Sequence, residues 1–309
     1  MSVDVSIIVV NFRTPEMTVE AVRSVGENAG EGFSYEIILM DNGSGDGSAE
    51  ALRAAFPELD VMALEENVGF ARANNIGAER ARGEYILFLN PDTLVRPGAV
   101  AALLAFARRR PEGGAWGGRT VFADGALNPS SVARFVTPAT MLMRAVGLSH
   151  LFPRSAWLNP EIYPGWRRDS EREVDVLFFC FVLMRTEVWR RLGGFDRRFF
   201  MFCEDDDLCW RLRQAGLPRL FTPEAAIVHY GGASTTHRPG RIVAINRARL
   251  QWVDRHWRPV ARATARLALG GGVAARALFE RLFHGRRTPT WGEVWARRSE
   301  WLSPGAVTK

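Results

Sequence analysis

Four short apolar runs, each closing on or just before a polar residue and each followed by a helix-forming stretch, constrain this chain most. Residues 5–10 (VSIIVV) run into Asn11, 35–40 (YEIILM) into Asp41, and 85–89 (YILFL) into Asn90-Pro91-Asp92; the shorter run at 61–64 stands just before Asn67. Continuous aliphatic runs of this length suit strands covered on both faces. Between them the chain reads as helices over 15–28, to about 55, over 69–82 and over 97–110. Strand and helix in alternation predict an α/β chain with a mainly parallel central sheet flanked by helices. Ligands of such sheets bind beyond the carboxyl ends of the strands, which is where these polar residues collect.

The middle of the chain, 122–172, is broken by Pro129, Pro138, Pro153, Pro160 and Pro164 and reads as irregular. Its Trp157, Tyr163 and Trp166 suit either stacking on a sugar or plain packing. A strand is expected over 174–184, helices over 185–192 and 205–214, and a further apolar stretch at 225–228 that closes on His229. Beyond 240 the chain reads as helical, interrupted at Gly270-Gly271-Gly272. Leu278 with Leu282 and Phe279 with Phe283 form an apolar stripe there, beside Arg276, Arg281, Arg286 and Arg287. The expected division is therefore 1–240 and a basic helical extension, 241–309.

FMFCEDDDLCW, residues 200–210, places four carboxylates between flanks that favour burial. A buried carboxylate needs a partner, a proton or a metal. At the start of a helix these acids also meet its positive end, which is expected to lower their pKa values.

With 309 residues, 47% apolar and 24% charged, the composition is that of an ordinary globular protein. Cys180, Cys203 and Cys209 have no metal-finger spacing and sit among apolar neighbours, as reduced core thiols do, which suits a reducing compartment. The amino terminus lacks the basic region and longer apolar stretch of a secretion signal. The uncharged runs at 176–184 and 267–275 are about half of what a membrane span needs. Net charge is +6, yet residues 231–309 carry 15 Lys/Arg against 4 Asp/Glu, while the first 230 carry 25 against 30. A basic tail on a slightly acidic body suits contact with something anionic, or an Arg-rich solvated surface.

Several chemistries lack their signature. There is no GxxxxGK phosphate loop, the GSGDG at 43–47 lacks GxGxxG spacing, and no GxSxG elbow occurs. Asp92, at the end of a buried strand, suits a hard cation such as Mg²⁺ or Mn²⁺. His229 would be a second ligand beside it, or a structural histidine; His150, His237, His256 and His284 show no pairing.

VSIIVVNF, EIILMDNGSGDGS, ENVGFARANN, GEYILFLNPDT, GGFDRRFFMFCEDDDLCWR and AAIVHYGG, in that order, resemble a family 2 glycosyltransferase of the GT-A (nucleotide-diphospho-sugar transferase) fold. LNPDT and FFMFCEDDDLC most resemble its bacterial rhamnosyltransferase-like branch. The likeness runs from about residue 4 to 235. It implies that Asn11 and Asp41 bind the nucleotide base and ribose, and that Asn67, Arg72 and Asn75 line the nucleotide and diphosphate. Asp92 matches the last aspartate of the family's metal motif and His229 its late histidine. Asn90 stands where the first acid of that motif is expected and falls on the donor side. Asp205 matches the general base, with Asp206 the near alternative; Glu204 and Trp166 would meet the acceptor.

The resemblance implies an inverting, metal-assisted sugar transfer from a nucleoside-diphosphate donor to a hydroxyl of a glycan or polyprenyl-diphosphate-linked acceptor, in bacterial cell-surface polysaccharide synthesis. dTDP-L-rhamnose is one donor that it suggests. A cytoplasmic protein is expected, with peripheral contact at the inner membrane through the basic C-terminal region and no nucleic acid partner. Two other readings stand beside it. A nucleotidyltransferase would need an early basic phosphate-gripping loop, for which only Arg13 offers itself. A non-catalytic nucleotide-sugar-binding scaffold would have lost Asp92, Asp205 or His229, and all three are present.

Overall fold

The structure is a computed structural model and describes residues 3–231, 238–283 and 290–303. His237, His284, Arg286 and Arg287 lie outside the described residues. The fold opens with the expected alternation: β1 (Val5–Asn11), α1 (Pro15–Asn28), β2 (Tyr35–Asp41), α2 (Ser48–Ala55), β3 (Met62–Ala63), α3 (Phe70–Glu79), β4 (Tyr85–Leu89), β5 (Thr93–Val95), α4 (Ala99–Arg109) and β6 (Ala115–Val121). Next come β7 (Val132–Ala133), α5 (Pro138–Ala145), α6 (Leu148–Leu151), β8 (Arg172–Glu173), β9 (Val176–Leu177), β10 (Phe181–Arg185), α7 (Thr186–Leu192), α8 (Glu204–Gln214) and β11 (Arg219–His229). Helices α9 (Arg238–His256), α10 (Pro259–Phe283) and α11 (Thr290–Ala296) follow.

The described residues group into two compact units. One draws on Met1–Ala133, Arg167–Arg197 and Glu204–Ser234, the other on Arg134–Trp166, Arg198–Cys203 and Thr235–Lys309. In the first, the main sheet has the order β3-β2-β1-β4-β10-β6-β11-β5. Its first four strands are parallel, with Asn11 opposite Asp41 and Val9 opposite Leu89. Beyond β4 it becomes mixed: β10 runs antiparallel to both β4 and β6, and β11 antiparallel to β5. Every residue of β1 and β4 is buried, so helices must cover both faces of these strands. Val22 and Val25 of α1 and Leu103, Leu104 and Phe106 of α4 join Ile7, Leu39 and Leu87 in one core. Phe88, on the opposite side of β4, packs against Phe179, Trp189 and Phe195 at ring-centroid distances of 5.4, 4.6 and 5.6 Å.

The strand expected over 174–184 is interrupted. Pairing stops at Leu177 and resumes at Phe181, and the 178–180 turn between them makes bonds outside the ladder. That turn is central to the site described below.

In the second unit α10 packs on α5, α9 and α11. The middle segment, expected to be irregular, contributes α5, whose start is fixed by a capping box between Thr137 and Thr140. The expected break at Gly270-Gly271-Gly272 does not occur, and α10 runs through all three. A Cβ on Gly272 would lie 2.8 Å from the Cα of Ala145, so the glycine admits the α5 backbone rather than ending the helix.

Candidate active site

The polar residues at the carboxyl ends of β1 to β4 form two groups. In the first, Asn11 is fully buried; its Nδ2 donates to Asp41 Oδ1 at 2.6 Å and its Oδ1 accepts from the Thr18 hydroxyl at 2.8 Å. Asp41 Oδ2 accepts from the Ser44 amide at 3.0 Å. Asn11 thus braces Asp41 and the loop that follows it. Asn42 donates to Asn67 Oδ1 at 3.0 Å and accepts from the Val68 amide at 3.0 Å, which ties the loops after β2 and β3 together. Between them Gly43 has φ 66°, and a Cβ there would fall 2.2 Å from the Glu66 carbonyl carbon. Only glycine permits this approach. Arg72 is exposed in the first turn of α3. Asn75 lies one turn on in the same helix, and its amide donates to Phe195 O at 2.8 Å and accepts from Phe195 N at 2.9 Å. Its visible work is structural, holding the turn after α7.

The second group surrounds the 178–180 turn. Antiparallel pairing of β5 with β11 sets Thr93 opposite His229, and the Tyr230 amide donates to Asp92 O at 3.0 Å. His229 Nε2 lies 3.3 Å from Asp92 Oδ1. On the other side of the ring, Nδ1 is 3.3 Å from Ser130 Oγ, and the His229 carbonyl accepts from Asn128 Nδ2 at 2.9 Å. Burial disfavours charge on the ring, but the Cys180 sulfur and the Asp92 carboxylate outweigh it and raise the His229 pKa to about 10. Asn90 donates its backbone N–H to Cys180 O at 3.1 Å, while its side-chain Oδ1 is shielded from solvent without a hydrogen-bond partner.

The same turn holds Asp205, whose Oδ2 accepts from the Phe179 amide at 3.2 Å. Its Oδ1 is buried and has no hydrogen-bond partner. Burial first, and then the neighbouring Glu204 charge, push the Asp205 pKa well above the usual carboxylate range, against the Phe179 hydrogen bond. This reverses the lowering expected from the helix start: desolvation of a buried carboxyl exceeds the pull of the helix end.

The four acids of α8 therefore divide. Asp207 is fully buried and structural; its Oδ2 accepts from Arg211 Nε at 2.7 Å, and the same guanidinium donates to the carbonyls of Leu192 and Gly194 at 2.8 Å each. Glu204 is buried at the head of the helix, and Asp206 is half-buried. Trp166 belongs to the second unit, where it packs edge-on against Tyr163 at 5.7 Å.

Sequence reasoning did not single out Asn42, Ser44, Asn128 or Ser130. The first two stand in the turn-rich DNGSGDGS, and the last two in Asn-Pro-Ser-Ser, a turn signal whose distance from His229 in sequence hides the contact.

The donor atoms around Asp92 suit a divalent cation. They are a carboxylate oxygen of Asp92 and the imidazole Nε2 of His229, 3.3 Å apart; the amide oxygen of Asn90, two residues before Asp92, is buried without a partner. Among the described residues no cluster of three or more His, Cys, Asp or Glu side chains able to hold a metal occurs, so the shell would need substrate or water oxygens.

The family model described as glycosyl transferase family 2 matches residues 6–190. The chain belongs to this family. It is 32% identical over 258 residues to the N-acetylglucosaminyl-diphospho-decaprenol L-rhamnosyltransferase of Mycobacterium tuberculosis, covering 78% of this chain and 81% of that one. It is 29% identical over 171 residues to rhamnosyltransferase WbbL of Escherichia coli K12, covering 52% and 61%. Among solved structures, GalNAc-T7 with UDP, GalNAc and Mn²⁺ superimposes with a TM-score of 0.59 at 14% identity, over 96% of this chain and 57% of that one. The glycosyltransferase is thus of the rhamnosyltransferase-like kind and has the GT-A fold, with a sugar-transfer role in polysaccharide synthesis.

Proposed function

We propose that this glycosyltransferase moves a sugar with inversion from a nucleoside-diphosphate donor, L-rhamnose from dTDP-L-rhamnose, to a hydroxyl of a polyprenyl-diphosphate-linked glycan. One observation carries the chemistry: Asp205 keeps one carboxylate oxygen on the Phe179 amide and the other without a partner. The fixed oxygen orients the group, and burial makes its anion a stronger base than an exposed aspartate. Oδ1 takes the proton of the acceptor hydroxyl as that oxygen bonds to the anomeric carbon. The bond to the diphosphate breaks on the opposite face, so the configuration inverts and no covalent enzyme intermediate forms. Asp206, one residue on, points about 100° away around the helix and is the second choice.

Asn11, Asp41, Asn67 and Arg72 would receive the nucleotide, with the exposed Arg72 available to its phosphates. A divalent cation, Mg²⁺ or Mn²⁺, held by Asp92, His229 and Asn90, would offset the charge growing on the leaving diphosphate. The acceptor class rests on the name of the mycobacterial relative, whose substrate is a decaprenol-linked sugar. Such an acceptor places the protein at the cytoplasmic face of a membrane, which suits the basic C-terminal region. No described helix is long and apolar enough to cross one.

Thermal shift with dTDP-L-rhamnose, UDP-glucose, UDP-galactose and GDP-mannose, each with and without Mn²⁺, tests the donor. Stabilisation chiefly by dTDP-L-rhamnose, enhanced by Mn²⁺ and weakened in Asp92→Ala, is expected; stronger stabilisation by another donor would replace the rhamnose reading.

A further inference from the structure

Helix α10 turns an apolar face to water. Of the large apolar side chains exposed among the described residues, all but Tyr35, Phe122 and Tyr230 belong to the second unit. On α10, Val260 is 81% exposed, Leu267 76%, Leu282 66% and Phe283 69%, with Leu278 and Phe279 also exposed. Positions 260, 267, 278 and 282 return to one side of a 3.6-residue helix, so they form a single stripe. The exposed positions between them include Thr264, Gly271 and Ala275, none charged. At about 1.5 Å per residue the stripe is roughly 35 Å long. α5 seats its backbone against Gly272, away from the stripe, and Leu142 on α5 and Val146 just after it are exposed too.

Charge on this helix is arranged in one sense. Its one acid, Glu280, is turned onto the start of α11, where its carboxylate accepts from the amides of Thr290, Trp291 and Gly292 at 2.9 Å. Arg266 is held by Asp254. The exposed charges at the two ends are Arg258, just before the helix, and Arg281. An apolar stripe with cations at its ends and no exposed acid matches an anionic bilayer surface, into which such a helix sinks in-plane.

We infer that α10 is an in-plane membrane anchor, its apolar face between residues 260 and 283 set among the acyl chains of an anionic leaflet, with Arg258 and Arg281 on headgroup phosphates. The inference deepens the lipid-linked acceptor reading and rests on it for its biological sense. The anchor would hold the enzyme at the surface where a polyprenyl acceptor is presented.

The test is vesicle flotation of the full chain, using phosphatidylglycerol-containing and pure phosphatidylcholine vesicles, with Leu267→Glu/Leu278→Glu as the variant. The wild type is expected to float with the anionic vesicles, and the variant's bound fraction to fall at least tenfold. Donor-induced thermal stabilisation and transfer to a short, water-soluble acceptor should be equal in the two. Should the double variant unfold, Leu267→Glu alone is read the same way. Equal flotation of variant and wild type, or no flotation of the wild type, overturns the inference. A wild-type dimer that these substitutions dissociate, without vesicle binding, also overturns it and makes the face an interface between copies. Intact flotation with no transfer to any polyprenyl acceptor would instead sink the acceptor reading alone.

Discussion

His229 Nε2 stands 3.3 Å from Oδ1 of Asp92, and Ser130 Oγ stands 3.3 Å from the other nitrogen of the same ring. As it stands Nε2–H donates to Asp92; a cation between the two would displace that proton, and with Ser130 then accepting from Nδ1–H the Nε2 lone pair would be free to ligate it beside the carboxylate. Ser130→Ala is then expected to weaken Mn²⁺ binding about 10-fold, with Asp92→Asn and His229→Ala weakening it more. Titration of free Mn²⁺ by electron paramagnetic resonance reads this without turnover. Unchanged binding in all three would remove the metal from this site.

Asp205 has a stability signature. Its pKa is raised in the folded state, so the folded protein binds a proton more tightly there than the unfolded chain does. Burial is harmless below the unfolded value, near 3.9, and costs stability progressively as pH rises from there towards the folded value, about 1.4 kcal/mol per unit of difference. Asp205→Asn should therefore melt higher than wild type at pH 7, and the gap should close near pH 4. A gap that is constant from pH 4 to 8 would show that the carboxyl is not perturbed.

Asp207 serves the fold. Removing one member of a buried ion pair strands the other, so Asp207→Ala should lower unfolding free energy by about 3 kcal/mol in urea titrations, with donor binding retained in the folded fraction. A loss below about 1 kcal/mol would contradict the role given to its pair with Arg211.

Gly43→Ala should separate the loops that Asn42 and Asn67 join, because the methyl group would meet the Glu66 backbone at 2.2 Å. Donor affinity measured by calorimetry should fall at least tenfold. Unchanged affinity would mean that this junction does not shape the nucleotide pocket.

Much of this was legible in the sequence because strand burial and strand ends are local signals. The runs ending at Asn11, Asp41 and Asn90 became β1, β2 and β4, and Asp92 and His229, each read as closing an apolar run, lie 3.3 Å apart. What was not legible depends on contacts distant in sequence. The bonds of the Asn75 amide to Phe195, 120 positions on, have no trace in the local pattern. Ser130 gives no sign of His229. The Gly270–272 run reads as a break because its meaning lies in α5, and Asp205 departs from helix-end expectation because the apolar flanks suggest burial without showing which of the four acids it dominates.

The most direct test of the central claim is transfer from dTDP-L-rhamnose to a GlcNAc-diphosphate polyprenol in the presence of Mn²⁺, comparing wild type with Asp205→Asn and determining the anomeric configuration of the product by NMR. The account expects an inverted glycoside from the wild type and a rate lower by about 10²- to 10⁴-fold in the variant, with donor binding preserved. Retained configuration, or a variant as fast as wild type, would contradict it.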